Sequence, residues 1–585
     1  MLKVLRYLDR KQWGQVAAAL VFIVVQVWLD LTLPDYMSEI TTLVETPGSE
    51  MSEILVQGGL MLACAVGSMA ASCVVAYYAA RVGAGLSRTL RGKVFDKTLE
   101  LSKGDVEHFS TASLVTRSTN DITQIQSLIV MGLQAIVKAP IMAVWAVCKI
   151  WNKGWQWSAA TAVAVFVVIC MLAITLIVAV PRFRSIQGLT DRLNTLCREH
   201  LVGIRPVHAY NAEDYEQARF ADANTEITNN NLVANRTMAM MSPGMTFVNS
   251  ALTLAVYWIG AYMISAAGMD SRLTIFSDMV VFSNYAMNVI MAFVLLNMVF
   301  ILLPRAQVSA RRVCEVIDTA SSVTDGKGAD VAEEDKGTIE FRDVSFSYPD
   351  GGGHVLSHVS FTAEKGSYVA FIGATGSGKT SLVQLVDRLY DATEGEVLVD
   401  GIDVRDYELA DLHDRIGYIP QSATLFSGTV ESNIAYGEAA QPCTDDDVTN
   451  ALEIGQASDF VEAMGGISAQ IDQGGRNVSG GQRQRLAISR AIARKPETLV
   501  FDDSFSALDY ATDRALRGAL EERCAGTTRL VVAQRIGTIR DADKIIVLDQ
   551  GRVVGQGTHD ELMKTCETYQ EIATSQLSKE ELENA

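Results

Sequence analysis

A glycine-rich segment in the second half of the chain has the residue types and spacing of a phosphate-binding loop. Its sequence, Gly373-Ala-Thr-Gly-Ser-Gly-Lys-Thr380, follows a predicted strand and precedes an apolar helical pattern. Glycines let backbone N–H groups turn towards phosphates, Lys379 can supply positive charge to the outer phosphates, and the Thr380 hydroxyl can bind Mg²⁺. The predicted nucleotide ligands here are Gly373, Thr375, Gly376, Ser377, Gly378, Lys379, Thr380 and Ser381.

Two adjacent carboxylates end a second apolar strand. The segment Thr498-Leu-Val-Phe-Asp-Asp503 is typical of the Walker B strand of nucleotide-binding proteins, in which the first carboxylate faces the metal. Asp502 is therefore predicted to bind Mg²⁺ together with Thr380. The two segments favour a Mg-ATP site at the carboxyl edge of a parallel sheet.

A third segment carries a resemblance to a family. Asn477-Val-Ser-Gly-Gly-Gln-Arg-Gln-Arg485 resembles the L-S-G-G-Q signature of ATP-binding cassette (ABC) transporters, with Val478 in place of Leu. The resemblance implies a dimer in which the signature binds the γ-phosphate of ATP held by the other subunit. It also implies that the Tyr348 ring stacks on adenine, that Gln421 contacts Mg²⁺ and that residues 506–509 form the D-loop. The signature residues are Ser479, Gly480, Gly481 and Gln482.

Two positions depart from the family pattern. Asp503 stands where the family has a catalytic Glu, and Gln534 stands where it has a switch His. A carboxylate shorter by one methylene is poorly placed to reach an attacking water, and glutamine carries neither a positive charge nor an exchangeable acid proton. These departures predict a site that binds Mg-ATP but hydrolyses it weakly, in a heterodimer with a hydrolytic second subunit. A homodimer with slow hydrolysis and a regulatory ATP-sensing subunit are the alternatives.

The whole chain has a split composition. It contains 585 residues, 49% hydrophobic and 20% charged, with a net charge of −19. The acidic balance argues against a nucleic-acid partner, which needs a basic face. Nine scattered cysteines favour neither a disulfide framework nor a metal site.

Six apolar stretches precede residue 305, and each is long enough to cross about 30 Å of hydrocarbon as a helix. They cover residues 15–36, 55–80, 128–151, 157–180, 244–267 and 278–303. Pro181 is expected to end the fourth. Asp30, Asp35 and Lys138 lie within the stretches and are expected at interfaces or a water-filled cavity, because a lone charge in lipid is costly.

Charge asymmetry between the loops predicts orientation. The N-terminal segment and the loops at 81–117 and 182–236 are rich in Lys and Arg, whereas residues 37–54 contain neither. The positive-inside rule then places both termini and both long loops in the cytoplasm. The expected location is a bacterial plasma membrane, with the first span retained as an anchor. By the resemblance, residues 111–121 and 203–210 are expected to be coupling helices.

The predicted fold class is a six-helix α-helical transmembrane domain of ABC exporter type (type IV) followed by an α/β P-loop nucleotide-binding domain. The predicted boundaries are 1–317 for the membrane domain with its two coupling loops, 318–336 for a linker and 337–585 for the cassette. The chain is thus expected to be half of an exporter that works by alternating access. Its membrane domain is expected to contact membrane lipid. Met287, Met291 and Met298 share one face of the sixth stretch, with Asn284 and Asn288 nearby, and methionine suits a cavity for a small amphipathic drug or lipid-like cargo. Helix packing or contact with lipid is the alternative for the same residues. An inward transporter of metal-chelate type is the alternative.

Overall fold

A computed structural model describes residues 2–46, 48–151, 154–328, 331–349, 351–437 and 442–576. The chain forms two compact units. The first holds the residues up to Lys97 together with Ala112–Thr319, and the second holds Thr98–Thr111 together with the residues from Ala320 onward. The segment Thr98–Thr111 therefore belongs with the cassette, although the predicted boundary places it in the membrane domain.

The described residues of the first half of the chain form helices joined by short turns. Its helices are α1 Leu2–Leu5, α2 Arg10–Glu45, α3 Met51–Glu100, α4 Lys103–Phe109, α5 Thr111–Thr116, α6 Ile122–Trp151, α7 Trp155–Val202, α8 Ile204–Ala209, α9 Glu213–Ala239, α10 Met241–Ala266 and α11 Met269–Asp318. A π-helical turn, Arg117–Asp121, joins α5 to α6.

Six segments of the described chain are long and apolar enough to span a membrane, which confirms the predicted number of spans. They are Arg10–Val44, Met51–Glu100, Thr111–Trp151, Trp155–Val202, Glu213–Ala266 and Arg272–Leu296. With 50 residues in α3 and 48 in α7, these helices are about 70–75 Å long, more than twice the hydrocarbon thickness.

Pro181 does not end the fourth span, contrary to the expectation. It lies inside α7, which continues to Val202. A proline inside a helix removes one backbone hydrogen bond and crowds the preceding turn. Long membrane helices tolerate this because neighbouring helices hold the segment, and here α7 packs along α9 and α10.

The charged residues of the spans pair with one another. The Lys138 Nζ lies 3.1 Å from Asp30 Oδ2, and the Lys149 Nζ lies 2.6 Å from Asp35 Oδ2, so both pairs join α2 to α6. The Tyr285 hydroxyl of α11 donates to Asp35 Oδ1 at 2.6 Å. Pairing of this kind offsets the cost of placing charge at membrane depth.

The cassette unit contains two larger sheets. Their strands are β1 Ile339–Phe346, β2 Leu356–Ala363, β3 Tyr368–Gly373, β4 Glu394–Val399, β5 Ile402–Asp403, β6 Ile416–Ile419, β7 Gly428–Thr429, β8 Gln470–Ile471, β9 Thr498–Asp502, β10 Thr528–Val532, β11 Lys544–Asp549 and β12 Arg552–Gly557. One sheet has the order β2-β1-β4-β5 and is antiparallel; the other has the order β12-β11-β3-β10-β9-β6, with β7 and β8 paired separately.

Helices surround the six-stranded sheet. They are α12 Lys379–Val386, α13 Leu409–Arg415, α14 Val430–Ile434, α15 Asp445–Ile454, α16 Ser458–Met464, α17 Gly480–Ala493, α18 Tyr510–Arg523, α19 Ile536–Ile539, α20 His559–Thr565 and α21 Glu567–Gln576, with a 3₁₀ turn at Val404–Asp406. Strands β11, β3, β10, β9 and β6 run parallel. The residues that follow β3, β9 and β10 therefore share one edge, where parallel sheets bind ligands.

The two predicted coupling segments are largely helical, and their coupling role stays a prediction. Residues 112–121 belong to the first unit, where the Arg117 Nη1 lies 2.8 Å from Glu315 Oε2 and Asp121 Oδ1 accepts a hydrogen bond from the Ser309 hydroxyl at 2.8 Å. The helix of the first long loop that joins the cassette unit is α4, eight residues earlier. Residues 203–210 do form a short helix, α8.

The membrane ion pairs generate a stability prediction. Lys138→Met should lower the free energy of unfolding by about 2–3 kcal/mol, because it leaves the Asp30 carboxylate without its cation among apolar helices. The loss should stay below that of a fully buried pair, since the Lys138 and Asp30 side chains are 20% and 25% exposed. The measurement is a reversible denaturant titration of the full chain in mixed micelles.

Two variants serve as controls for that loss. Adding Asp30→Asn to Lys138→Met should restore most of the stability, because no unpaired charge then remains. Lys3→Met removes the exposed pair with Asp318 and should cost little. Equal losses for the Lys3 and Lys138 variants would contradict a stabilising role for the membrane pair.

Candidate nucleotide-binding site

The glycines of the phosphate-binding loop are required by its backbone. Gly376 and Gly378 have φ of +84° and +98°, values that residues with a Cβ rarely adopt. A Cβ on Gly378 would also lie 2.7 Å from Leu356 Cδ2 and 2.9 Å from the Val355 carbonyl oxygen. The loop follows β3, leads directly into α12 and presents its N–H groups at a helix N-terminus, as anion binding needs.

Lys379 lies inside this loop. Its Nζ donates to the carbonyl oxygens of Gly373 and Ala374, both at 2.8 Å. Burial lowers the pKa of the Lys379 ammonium, and the carboxylates of Asp503 and Asp502 act in the opposite direction. The loop thus places one cation within the electrostatic influence of two carboxylates.

Asp502 is buried at the end of β9 and is held by two hydroxyl groups. Thr380 Oγ1 donates to Asp502 Oδ1 at 2.8 Å, and the Tyr418 hydroxyl donates to Oδ2 at 3.1 Å. Burial raises the pKa of Asp502, while these two hydrogen bonds lower it. The predicted metal pair is therefore in contact, and its hydroxyl and carboxylate oxygens suit Mg²⁺. Sequence analysis missed Tyr418, whose only signal is a hydroxyl in an otherwise apolar strand.

One carboxylate oxygen of Asp503 accepts hydrogen bonds from two side-chain amide groups. Gln534 Nε2 donates to Asp503 Oδ2 at 2.7 Å, and Gln421 Nε2 donates to the same atom at 3.2 Å. Burial raises the pKa of Asp503 and the Gln421 hydrogen bond lowers it. The two departures from the family pattern, Asp503 and Gln534, are thus direct neighbours. Their positions in the sequence do not reveal this hydrogen bond.

Tyr348 lies beside the phosphate-binding loop. Its hydroxyl shares a hydrogen bond of 2.8 Å with Ser381 Oγ in α12. Its ring meets Phe346 and Tyr390 edge to face, with ring centroids 4.9 and 5.2 Å apart. The predicted adenine-stacking ring is therefore tied to the loop that would hold the phosphates.

The signature residues form the start of α17. Ser479 caps this helix: its Oγ accepts from the Gln482 N–H at 3.2 Å, and Gln482 Oε1 accepts from the Ser479 N–H at 2.9 Å. Gly480 and Gly481 occupy the first turn, where a Cβ on Gly480 would meet open space. Among the described residues, Ser479 and Gln482 bond to each other and not to the phosphate-binding loop. The positive end of the helix dipole lies at these glycines.

The segment after Asp503 matches the predicted D-loop in position. The Ser506 hydroxyl donates to the Asp503 carbonyl oxygen at 2.8 Å. Asp509 caps α18 by accepting from the Thr512 N–H at 3.0 Å. A Cβ on Gly481 would lie 3.3 Å from the Ala507 carbonyl oxygen, so this segment borders the signature.

Comparison with known proteins identifies both parts of the chain. Residues 16–305 match the model of the ABC transporter transmembrane region, and residues 356–506 match that of the ABC transporter. An uncharacterized ABC transporter ATP-binding protein of Mycobacterium tuberculosis is 38% identical over 88% of this chain and 87% of its own length. An ATP-dependent lipid A-core flippase of Pseudomonas fluorescens is 31% identical, covering 83% and 80%.

A solved structure shares the complete fold. The structure of a bacterial Atm1-family ABC exporter with ATP bound superposes with a TM-score of 0.78, at 24% identity, over 98% of this chain and 100% of the other. Together with the six spans, the phosphate-binding loop and the paired carboxylates, these matches confirm the predicted fold class. This chain is a multi-pass membrane protein of the ABC transporter family, an exporter-type half-transporter in which one transmembrane domain is fused to one ATP-binding cassette.

Proposed function

We propose that this chain is the ATP-holding subunit of a heterodimeric exporter of amphipathic, lipid-like compounds. The observation that carries the proposal is the pair of amide groups on the Asp503 carboxylate. In the family pattern a glutamate at this position takes a proton from water. Here the acceptor is shorter, and its Oδ2 already accepts hydrogen bonds from Gln534 and Gln421. Burial raises the pKa of the Asp503 carboxyl overall, but both amide donors occupy Oδ2, which leaves this oxygen less able to accept a hydrogen bond from an attacking water.

The binding functions of the site are retained. Lys379 and the loop N–H groups hold the phosphates, the Tyr348 ring stacks on adenine, and Thr380 and Asp502 hold Mg²⁺, with Gln421 as a further oxygen ligand. Mg²⁺ supplies charge neutralisation at the outer phosphates when it is bound. Binding without rapid hydrolysis keeps a dimer closed for as long as ATP remains.

The signature binds the γ-phosphate of ATP held by the other subunit. Its residues are Ser479, Gly480, Gly481 and Gln482. The capping box pre-forms the α17 N-terminus, which then requires no rearrangement to receive a γ-phosphate. That second site needs a phosphate-binding loop, a catalytic Glu and a switch His from the partner. A partner of different sequence at those positions therefore completes one hydrolytic site for each dimer.

The membrane domain supports an amphipathic cargo. Met287 and Met291 are 49% and 53% exposed in this single chain, while Tyr285 and Val289 on another face of α11 are buried in the helix core. Methionine is adaptable and suits varied apolar ligands. The side chain of Met298 lies outside those the structure describes. The relatives named lipid A-core flippases agree with a lipid-like cargo.

The proposed setting is a bacterial plasma membrane with both termini and both long loops in the cytoplasm, as the loop charges favour. The exposed helix α8 then contacts the cassette of the second subunit. An importer of metal chelates, a homodimer and a regulatory sensor remain distinct outcomes of the tests that follow. Transport in inverted and right-side-out vesicles separates export from import.

Nucleotide binding gives the first test. Tyr348→Ala should weaken ATP binding by about 5–150-fold, because stacking of a base on an aromatic ring is worth about 1–3 kcal/mol. Tyr348→Phe keeps the ring and removes only the hydrogen bond to Ser381, so its affinity should change little. Equilibrium binding of a fluorescent ATP analogue to the full chain measures both. Equal affinities for the Ala and Phe variants would refute stacking on Tyr348.

Hydrolysis gives the second test. The full chain purified alone in nanodiscs should show Mg-ATPase activity no higher than its Lys379→Ala variant. Combining Asp503→Glu with Gln534→His should raise the rate by about 100-fold or more if two copies pair, since general-base catalysis contributes that much. Vigorous activity of the unmodified chain that Lys379→Ala abolishes would show a homodimer with its own hydrolytic sites.

Cargo binding gives the third test. Met287→Ala combined with Met291→Ala should weaken binding of a fluorescent phospholipid analogue about tenfold, because each substitution removes apolar surface that a bound lipid would cover. Val163→Ala on α7, an exposed residue at 64%, is the matched control and should have no effect. If the double methionine variant and Val163→Ala weaken lipid binding equally, or if neither weakens it, Met287 and Met291 do not bind cargo.

A further inference from the structure

The last helix of the described cassette, α21, is anchored along one face. Tyr569 and Ala573 on that face are fully buried in the cassette core. Gln576 follows them at the helical spacing of three to four residues, so it lies on the same side of α21. The Tyr569 hydroxyl also shares a hydrogen bond of 2.7 Å with His559 Nδ1. The backbone that carries Gln576 is therefore held in a defined place at the end of this helix.

The Gln576 side chain spans the segment that follows β10. Its Oε1 accepts from the Ile536 N–H at 2.9 Å, and its Nε2 donates to the Gln534 carbonyl oxygen at 2.7 Å. A backbone N–H can only donate and a carbonyl oxygen can only accept, so these two partners define the orientation of the amide. Arg535 between them is extended, with φ of −110° and ψ of 127°. The amide thus takes the place that a neighbouring strand would occupy beside an extended segment.

Ile536 shows why an acceptor is needed at this point. It is fully buried and begins α19, and the first N–H groups of a helix have no partner within the helix. Arg535 precedes it, and a guanidinium has only donors, so the Arg535 side chain cannot satisfy that N–H. Gln576 supplies the acceptor from another helix, in the way that a capping side chain would supply it locally. The start of α19 and the end of α21 are therefore joined.

The same segment carries the contact with Asp503. Gln534 Nε2 donates to Asp503 Oδ2 at 2.7 Å, while the Gln534 carbonyl oxygen is the group that Gln576 holds. The Asp503 carbonyl oxygen in turn accepts from the Ser506 hydroxyl at 2.8 Å. A continuous set of hydrogen bonds thus runs from the end of α21 through Gln534 to residues 503–509.

We propose that Gln576 is a positioning residue for the Gln534 side chain. By fixing the backbone at residues 534–536, it holds the Gln534 amide against Asp503 Oδ2. A displacement of the end of α21 would release Gln534 and leave Gln421 as the remaining amide donor to that oxygen. The consequence for ATP retention rests on the roles proposed above for Asp503 and Gln534. Helix α21 is thereby a further element that determines the geometry around Asp503.

Amide hydrogen exchange of the full chain without nucleotide tests the proposal in two segments, residues 536–540 and 503–509. Gln576→Ala should speed exchange in both by about 2–10-fold, the effect expected when a hydrogen bond is lost. Gln576→Glu keeps an acceptor for the Ile536 N–H and loses the donor to Gln534, so it should speed exchange at 503–509 while 536–540 stays protected. A residue that only capped α19 would leave 503–509 unchanged in both variants.

A double variant shows whether the effect passes through Gln534. Gln534→Ala alone should speed exchange at 503–509 by about the same factor as Gln576→Ala, and combining the two should add less than about twofold, because the two residues act as one unit. Gln570→Ala is the matched control. The Gln570 Nε2 also donates from α21 to a backbone carbonyl oxygen, that of Met563 at 2.9 Å, so its loss should leave both segments unchanged.

Three results would overturn the proposal. They are unchanged exchange at 503–509 in Gln576→Ala or Gln576→Glu, an equal increase there in Gln570→Ala, and fully additive effects of Gln534→Ala and Gln576→Ala. Because no nucleotide enters the measurement, its outcome does not depend on whether this site hydrolyses ATP. Rapid hydrolysis by the unmodified chain would therefore refute the proposed function and leave the positioning role of Gln576 standing.

Discussion

Two adjacent carboxylates, Asp502 and Asp503, are buried at the end of β9, and burying them requires donors from other elements. Those donors come from the α12 start, from β6 and the residues after it, and from the segment that follows β10: Thr380, Tyr418, Gln421 and Gln534. The parallel order of β3, β10, β9 and β6 brings all of them to one edge. The nucleotide site is thus organised around the need to satisfy these two side chains.

The same requirement appears in the membrane domain. Asp30 and Asp35 on α2 have their counter-charges, Lys138 and Lys149, on α6. At membrane depth, a charge without a partner is much more costly than in water. The pairs therefore help to fix which faces of α2 and α6 meet. In both parts of the protein, carboxylates need hydrogen-bond donors or counter-charges from other elements, and this need organises the structure.

Much of this is predictable from local sequence. The six spans follow from apolar runs of sufficient length, and the phosphate-binding loop and its metal pair follow from motifs whose backbone geometry permits few alternatives. What local sequence does not show depends on tertiary contact. Gln534 and Asp503 are 31 positions apart, and their bond exists only because β10 lies beside β9. The contact of α4 with the cassette residues includes a hydrogen bond from the Tyr390 hydroxyl to Glu107, which lies 283 positions away in the sequence. The expectation that Pro181 ends a helix is wrong because it considers the local effect of proline without the packing of α7.

The proposed site holds ATP without Asp503 helping to cleave it, and the chemical state of the bound nucleotide tests this most directly. The full chain is loaded with α-phosphate-labelled Mg-ATP in nanodiscs, separated from free nucleotide, and its bound label is identified by chromatography over time. We predict that the retained label remains ATP, with ADP forming no faster than in the absence of protein. Steady conversion of the retained ATP to ADP in the unmodified chain would contradict the account.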